Sequence, residues 1–529
     1  MAKYCPSKAG DLLQQGLGKH GRGIRQCALL ALVALITASC GGSSNSGDGW
    51  FGSKGSAGQV DYMAGFRGGV AADEPRAAMV ARDILANGGS AADAVAAAAL
   101  TYAVTYPSGA ALGGGGVCIA ADAVTKKAET IEFVPPAAKD GGPVAIPAMV
   151  RGLGLLQSKY GRLRWEAVVT PAEQLARFGE GASRAFIQAA VETQPPVTAS
   201  ASLRPIFTTA TGLVSQEGER RVQPALASVL ARLRLMGPSE FYNGALARQI
   251  QSDLAAAGSR ITPDELAAYA VTVNKPIEVP FENSSSIYTV NTPAGGAIAA
   301  WLLEQTYDGG SFLRSSNLFV RGDSVRDDVF AASLGQAYRS DPATLAMNSF
   351  GSATVAAMDR RGGTVACAFT MGVAYGSRLV GRETGILFAA PPGIGGDERP
   401  YLTAMVGTMP KINQGVLAAA GSGGAPAAAA AAYTVLHTAL GKSKKDPTVS
   451  AQTQPRMFQA NPQSPLLVEP GMDPANYQAM RQRGVTVNEI GRLGRVNIAY
   501  CGEGAPRDLT SCSFATDRRG FGLAFGRAY

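Results

Sequence analysis

Residues 84–120, ILANGGSAADAVAAAALTYAVTYPSGAALGGGGVCIA, contain the most informative pattern of the chain. From residue 75 to residue 104, Ala, Val and Leu recur at spacings of three and four, which predicts two helices with a C-capping turn at Asn87 between them. Ser90 and Asp93 open the second helix. The four glycines then lead into an apolar run at 117–120, which predicts a strand.

The glycine run could also be interpreted as a phosphate-binding loop. It lacks the Lys-Ser or Lys-Thr pair of such a loop, and it enters a strand instead of opening a helix. We therefore expect these glycines to be needed where another backbone approaches closely.

Helix and strand patterns continue to alternate along the chain, without an internal repeat. Thr262 and Glu265 form a capping-box pattern, with proline at the first helical position. The predicted elements are, in chain order, a strand at 126–134, helices within 147–179 and 224–269, and strands at 353–358 and 364–370.

Composition indicates a globular protein. Of the 529 residues, 46% are hydrophobic and 17% are charged, which excludes a largely disordered chain. Five basic residues and one acidic residue lie in 1–39, so the net charge of +8 falls to +4 without that segment. The basic cluster of Lys442, Lys444 and Lys445 is typical of a solvated loop, and we expect no nucleic-acid partner.

The N-terminal segment has the pattern of an export signal. Basic residues precede the apolar run 27–36, which is too short for a membrane span of about 20 residues. The ending Ala38-Ser39-Cys40 resembles a bacterial lipoprotein signal, with an ordinary secretory signal as the alternative. We expect residues 1–39 to be removed, Cys40 to carry lipid, and the Gly/Ser-rich residues 40–58 to form a tether at the bacterial outer membrane, facing the periplasm.

Cysteine and histidine usage limits the chemistry. Cys501 and Cys512 flank a short loop between two strand-like runs, so we expect a disulfide between them in an exported protein. Past the signal, His437 is the only histidine, and it falls in an alanine-rich helix at 427–440. A catalytic triad or a histidine metal site is therefore not expected, and neither a metal nor a cofactor is predicted.

Residues 84–120 resemble the signature of the gamma-glutamyltransferase family. Further similar motifs follow in order over about residues 60–529: VAIPAMVRG at 144–152, YGRLRWEAVVTPAEQLARFG at 160–179, FYNG at 241–244 and NTPAGG at 291–296. The resemblance implies an α+β fold of the N-terminal-nucleophile hydrolase type, a four-layer αββα sandwich of two stacked antiparallel sheets. It also implies one precursor that cuts itself into large (59–351) and small (352–529) subunits within one compact domain.

The same alignment places Ser352 at the family's nucleophile position, so that cleavage would follow Gly351. A free Ser352 α-amine would have a pKa near 8 and could accept the hydroxyl proton. Thr370 matches the threonine that binds the nucleophile. The turn GSGGA at 421–425 resembles the family's oxyanion turn, with either Gly423 and Gly424 or Gly424 and Ala425 as donors.

Positions that contact the glutamyl group in the family are altered in this chain. Val134 stands where the family has an arginine, Gly372 replaces an asparagine, and Thr403 and Ala404 replace paired serines. The sequence therefore predicts a self-processing hydrolase or acyltransferase for a small-molecule or peptide amide with a non-glutamyl acyl group. The alternative is an inactive relative that serves as an envelope binding or assembly module.

Overall fold

The computed structural model describes residues 66–122, 125, 127–208, 212–281, 285–291, 295–306, 350–394, 399–409, 414–441, 445–458, 465–472, 474–482, 484, 486–504 and 512–526. The chain divides into two compact units, residues 1–61 and 62–529, and the described residues belong to the second. The predicted signal, Cys40 and its tether, as well as Lys442 and Lys444, lie outside the described residues. No helix in the described part is long and apolar enough to cross a membrane.

Two antiparallel sheets dominate the described residues. The first comprises β1 (Gly68–Ala72), β2 (Gly115–Asp122), β3 (Lys127–Phe133), β6 (Thr272–Asn274), β9 (Ser352–Asp359), β10 (Thr364–Thr370) and β18 (Leu523–Phe525), in the spatial order β18-β1-β9-β10-β2-β3-β6. The second comprises β7 (Ile277–Phe281), β8 (Ser285–Thr289), β11 (Thr403–Met409), β12 (Gln414–Ser422), β16 (Arg495–Cys501) and β17 (Cys512–Ala515), in the order β17-β16-β12-β11-β8-β7. Two small sheets consist of β4 (Glu180–Gly181) with β5 (Arg220–Arg221), and of β13 (Met457–Phe458), β14 (Leu466–Val468) and β15 (Val487–Glu489).

The helices flank these sheets. They are α1 (Pro75–Ala86), α2 (Ala91–Thr105), α3 (Met149–Tyr160), α4 (Trp165–Phe178), α5 (Arg184–Glu192), α6 (Arg204–Phe207), α7 (Pro224–Met236), α8 (Glu240–Asn243), α9 (Ala245–Ala256), α10 (Pro263–Ala268), α11 (Gly295–Thr306), α12 (Ala427–Leu440), α13 (Pro447–Thr453) and α14 (Pro474–Gln482). Short 3-10 helices occupy Val197–Ala199 and Arg399–Tyr401.

Three apolar clusters separate the layers. Val117 and Ala356 of the first sheet pack with Val406 and Ala418 of the second sheet in the core between the sheets. The opposite face of the first sheet packs on α1 and α2, while that of the second packs on α11 and α12. Both faces of each sheet are therefore covered, and the predicted four-layer α+β sandwich is confirmed.

Local sequence signals account for the helix pair at the start of the fold. Ser90 and Asp93 form a reciprocal capping box, and every residue of α2 is buried. The glycines after α2 allow close backbone contact, because a Cβ atom at Gly115 would lie 2.1 Å from the Phe133 carbonyl oxygen. At Gly116 it would lie 2.4 Å from the Ala368 carbonyl oxygen. The glycine run thus fits β2 between its neighbours.

Two disulfides fasten neighbouring strands. The Cys501–Cys512 bridge, which the loop spacing predicts, joins β16 to β17. A second bridge, Cys118–Cys367, was not predicted and joins β2 to β10, where the two residues are directly paired.

Candidate active site

Ser352 is the first residue of β9, in the interior of the first sheet, and only 2% of its surface is exposed. The amide of Gly423 donates a hydrogen bond to Ser352 Oγ at 3.1 Å. Gly423 has a φ of 98°, a left-handed conformation that glycine adopts without steric cost. The predicted nucleophile and the predicted oxyanion turn are therefore in contact.

Two donors bind the carbonyl of the Gly351–Ser352 peptide. The Met371 amide donates to Gly351 O at 2.8 Å, and the Thr370 hydroxyl donates to the same oxygen at 3.4 Å. Such donors polarise a carbonyl toward nucleophilic attack, because they stabilise the negative charge that develops on its oxygen.

The contact of Thr370 differs from the predicted one, which was to the Ser352 hydroxyl. Thr370 and Ser352 are opposed register partners, and in the continuous chain the Gly351 carbonyl accepts the threonine hydroxyl. The Gly372 amide in turn donates to Thr370 Oγ1 at 2.8 Å, which fixes the hydroxyl in this direction.

Within the turn at 421–425, Gly423 is the residue whose amide donates to Ser352 Oγ. Gly424 also has positive φ, at 81°, and its carbonyl accepts the Ala427 amide at 3.0 Å. That bond closes the turn onto α12. Ala425 packs among the apolar side chains beneath α12.

A buried carboxylate that the sequence analysis missed lies behind this group. Asp73 Oδ2 accepts the Thr354 amide at 2.9 Å and the Ser422 hydroxyl at 3.0 Å, while Oδ1 accepts Asn497 Nδ2 at 2.8 Å. Asp73 follows β1, Thr354 is on β9, and Ser422 and Asn497 are on β12 and β16. One side chain therefore connects both sheets beside Ser352.

Tyr102 completes the network around Asp73. Its hydroxyl accepts the Asp73 amide at 2.7 Å and donates to the Thr354 carbonyl at 2.7 Å. Burial, together with the Asp73 charge, raises the pKa of Tyr102 well above its usual value. The phenol therefore remains a donor.

Arg495 is a second residue that the sequence analysis missed. Its Nη2 donates to the Ser352 carbonyl at 3.2 Å, and its guanidinium lies 5.0 Å from the centre of the Phe350 ring. Arg495 opens β16, opposite Ser422 on β12. A polar signal was present in the sequence, since Arg495 and Asn497 interrupt an otherwise apolar strand.

The altered substrate positions are spread over the site. The Gly372 amide is hydrogen-bonded to the Thr370 hydroxyl. Val134 and Ala404 instead pack in the core between the sheets. Thr403 begins β11, and its hydroxyl donates to the Tyr401 carbonyl at 3.2 Å. An added Cβ at Gly372 would lie 3.0 Å from the Ala390 carbonyl, so a larger side chain there meets resistance.

His437 has the surroundings of a structural residue. It lies on α12 and its ring is 4.2 Å from that of Tyr433, while burial lowers its pKa to about 4. Ten residues of helix place it about 15 Å beyond Ala427. The described residues contain no cluster of three or more His, Cys, Asp or Glu side chains that could hold a metal ion.

Comparison with known proteins finds a matching family model and several relatives. Residues 77–316 match the family model of gamma-glutamyltranspeptidase. Over this stretch the chain is similar to the gamma-glutamyltransferase family. Among relatives, the chain is 27% identical over 286 residues to Scoloptoxin SSD14 of Scolopendra dehaani, covering 51% of this chain and 49% of that protein. It is 31% identical over 251 residues to the glutathione hydrolase proenzyme of Pseudomonas aeruginosa, covering 44% of each.

The chain spans about half or less of the length of these relatives. The fold of the chain is similar to that of the cephalosporin acylase of Bacillus halodurans, with a TM-score of 0.68 at 18% identity. That similarity covers 90% of this chain and 98% of the acylase.

Proposed function

We propose that the protein is a self-processing amide hydrolase or acyltransferase with Ser352 as its N-terminal nucleophile. The hydrogen bond from the Gly423 amide to Ser352 Oγ carries this proposal, because it joins a buried hydroxyl to a glycine turn able to stabilise an oxyanion. Large and small subunits would arise from one precursor and remain interleaved, since β1 and β2 pair with β9 and β10.

Self-cleavage begins with attack of Ser352 Oγ on the Gly351 carbonyl carbon. The bond from that carbon to the Ser352 nitrogen breaks, the nitrogen takes the hydroxyl proton, and an ester replaces the peptide. The Met371 amide and the Thr370 hydroxyl stabilise the oxygen that becomes negative. Water then hydrolyses the ester and leaves a Gly351 carboxylate and a free Ser352 hydroxyl and amine.

Turnover repeats this chemistry on an external amide. The free Ser352 amine, with a pKa near 8 in an unperturbed chain, accepts the hydroxyl proton and later passes it to the leaving amine. The resulting acyl ester is released to water or to an acceptor amine. Nucleophile and base are therefore one residue, which removes the need for a histidine.

The acyl group that the site takes is other than glutamyl. Val134 faces the core between the sheets, and an apolar side chain cannot pair with a carboxylate. Gly372 leaves little room for a polar side chain beside Ala390. Both features support a loss of glutamate recognition with retention of the nucleophile and turn.

Ser352→Ala tests the proposal. We expect the variant to remain one chain and to lose amide hydrolysis, whereas Ser286→Ala, which removes a hydroxyl bonded to Glu278 at the second sheet, should be cut and active. A wild-type chain that is never cut would favour the alternative, an inactive envelope binding module.

For localisation, we propose that Cys40 carries the lipid anchor and that the protein faces the periplasm at the outer membrane. Metabolic labelling with a palmitate analogue should mark the wild type and not Cys40→Ser. Labelling of both proteins, or of neither, would contradict the anchor.

A further inference from the structure

Phe350 is the second residue before the bond that Ser352 is proposed to cut, and its ring lies near two guanidinium groups. The ring centre is 5.0 Å from Arg495 and 5.9 Å from Arg492. Both distances fall within the range of about 6 Å in which a cation is attracted to an aromatic face. The ring is buried, with 4% of the residue exposed, so water screens these contacts little.

Gly351, the next residue, is closely surrounded by backbone atoms. A Cβ atom at this position would lie 2.4 Å from the Val373 carbonyl carbon and 2.6 Å from the Ala374 nitrogen. The Gly351 carbonyl is bound by the Met371 amide at 2.8 Å. The segment Phe350-Gly351 therefore occupies a fitted acyl site, with no space for a side chain next to the carbonyl.

A cavity of about 610 Å³ adjoins the Phe350 ring. Its apolar wall consists of Val373, Ala374, Ala390 and Ile394, and Glu192 and Arg378 supply its charged groups. Glu192 forms an ion pair with Arg492, one of the two cations near the ring. The volume is in the range of small-molecule sites, roughly 300–1,000 Å³.

We propose that the mature enzyme takes aromatic acyl donors of the arylalkanoyl-glycyl type, with the aromatic ring where the Phe350 ring lies. This inference rests on the proposed function. In self-cleavage, Phe350-Gly351 is the acyl group that is transferred to Ser352 Oγ, and the same oxygen attacks every later substrate. An external acyl group with the same shape therefore places its carbonyl within reach of the nucleophile.

Acyl transfer from such a donor to Ser352 Oγ is balanced in the same way as self-cleavage. Ser352 Oγ bonds to the glycyl carbonyl carbon, and the bond to the leaving amine breaks as that amine takes the serine proton. Water then returns the serine hydroxyl and releases an arylalkanoyl-glycine carboxylate. A donor with a carboxylate in place of the ring is the competing class, because Arg495 would attract it. The apolar wall and the pairing of Arg492 with Glu192 favour the ring.

Three p-nitroanilides test the inference on processed wild-type enzyme: acetyl-Phe-Gly, acetyl-Ala-Gly and acetyl-Glu-Gly. We expect kcat/KM for the Phe compound to exceed that for the Ala compound at least about 10-fold, from ring burial and the cation contact. Arg495→Met should lower this ratio about threefold, because the cation contact is lost while ring burial remains, and Arg495→Lys should lower it less. Arg184→Met, which removes an equivalent contact with Phe521 elsewhere, should leave the ratio unchanged.

The ratio of kcat/KM for the Phe compound to that for the Ala compound separates recognition of the ring from damage to the nucleophile. A misplaced Ser352 would slow hydrolysis of both compounds alike. Equal rates for Phe and Ala, a preference for Glu, or no hydrolysis of any compound by an enzyme that has cut itself would overturn the aromatic acyl site and leave the Ser352 processing intact. A chain that does not cut itself would overturn the proposed function and this inference together.

Discussion

The Asp73 carboxylate accepts the Ser422 hydroxyl at 3.0 Å. Ser422 directly precedes Gly423, whose amide donates to Ser352 Oγ. The same carboxylate oxygen accepts the amide of Thr354, two residues beyond Ser352. Asp73 therefore connects β9, the strand of the proposed nucleophile, with the glycine turn, and we propose it as a positioning residue.

Asp73→Asn is expected to lower kcat about 100-fold with little change in KM, because a displaced oxyanion donor weakens binding of the transition state alone. Steady-state kinetics on a slowly hydrolysed anilide measure this separation. Asp264→Asn, at the exposed start of α10, is the matched control and should behave as wild type. A rise in KM as large as the fall in kcat, or kinetics equal to those of the wild type, would show that Asp73 does not position the turn.

Gly423→Ala is expected to slow self-cleavage and turnover about 100-fold, since the left-handed φ resists a side chain and the amide shifts away from Ser352 Oγ. A Cβ there would also lie 3.2 Å from Gly494 Cα. Gly218→Ala has a similar φ of 82° but open space around it. Both variants should lose about 1 kcal/mol of unfolding free energy in urea, while only Gly423→Ala loses activity. Full activity in Gly423→Ala would show that the Gly423 amide does not contribute to the reaction.

The Cys118–Cys367 disulfide connects the two sides of the proposed cleavage site. Cys118 precedes Ser352 in the chain and Cys367 follows it, so the cut subunits should migrate as one band without reductant and as two with it. Denaturing electrophoresis of oxidised protein measures this directly.

The double variant Cys118→Ala/Cys367→Ala should give two bands under both conditions. Cys501→Ala/Cys512→Ala is the control, because that bridge lies wholly within the small subunit and its loss leaves the subunits linked. Two bands from oxidised wild-type protein would contradict the pairing.

His437 should make the fold sensitive to acid without taking part in catalysis. Burial lowers its pKa to about 4, whereas the unfolded chain binds the proton near pH 6.5. Between these values the unfolded state carries more protons, so unfolding free energy rises with pH and falls on acidification, by up to about 2 kcal/mol. Urea unfolding of wild type and His437→Gln at pH 4.5 and pH 7 measures the difference. His437→Gln should lose this pH dependence and remain cut and active; a loss of cleavage would contradict its structural role.

Local signals in the sequence predicted the first half of the fold well. The capping residues Ser90 and Asp93 and the glycine run before β2 act over a few residues, so their conformations follow from the chain nearby. The strand pair at 352–370 follows from its apolar pattern and the short turn between. Resemblance to a family, and not the pattern alone, predicted the stacking of two sheets.

The parts that escaped prediction depend on contacts between distant segments. Asp73 and Asn497 are 424 positions apart in the chain, and the Cys118–Cys367 bridge spans 249. Nothing in the sequence beside either pair specifies its partner, because strand order in the sheets brings the segments together. For the same reason Arg495 was not placed next to Ser352, although its polar character in an apolar strand was visible.

N-terminal sequencing of the subunits of purified protein, by mass spectrometry, tests the central claim most directly. The account predicts a small subunit that begins at Ser352 with a free α-amine, and its absence from Ser352→Ala. A fragment that begins elsewhere, or the same fragments from Ser352→Ala, would contradict self-cleavage by the Ser352 hydroxyl.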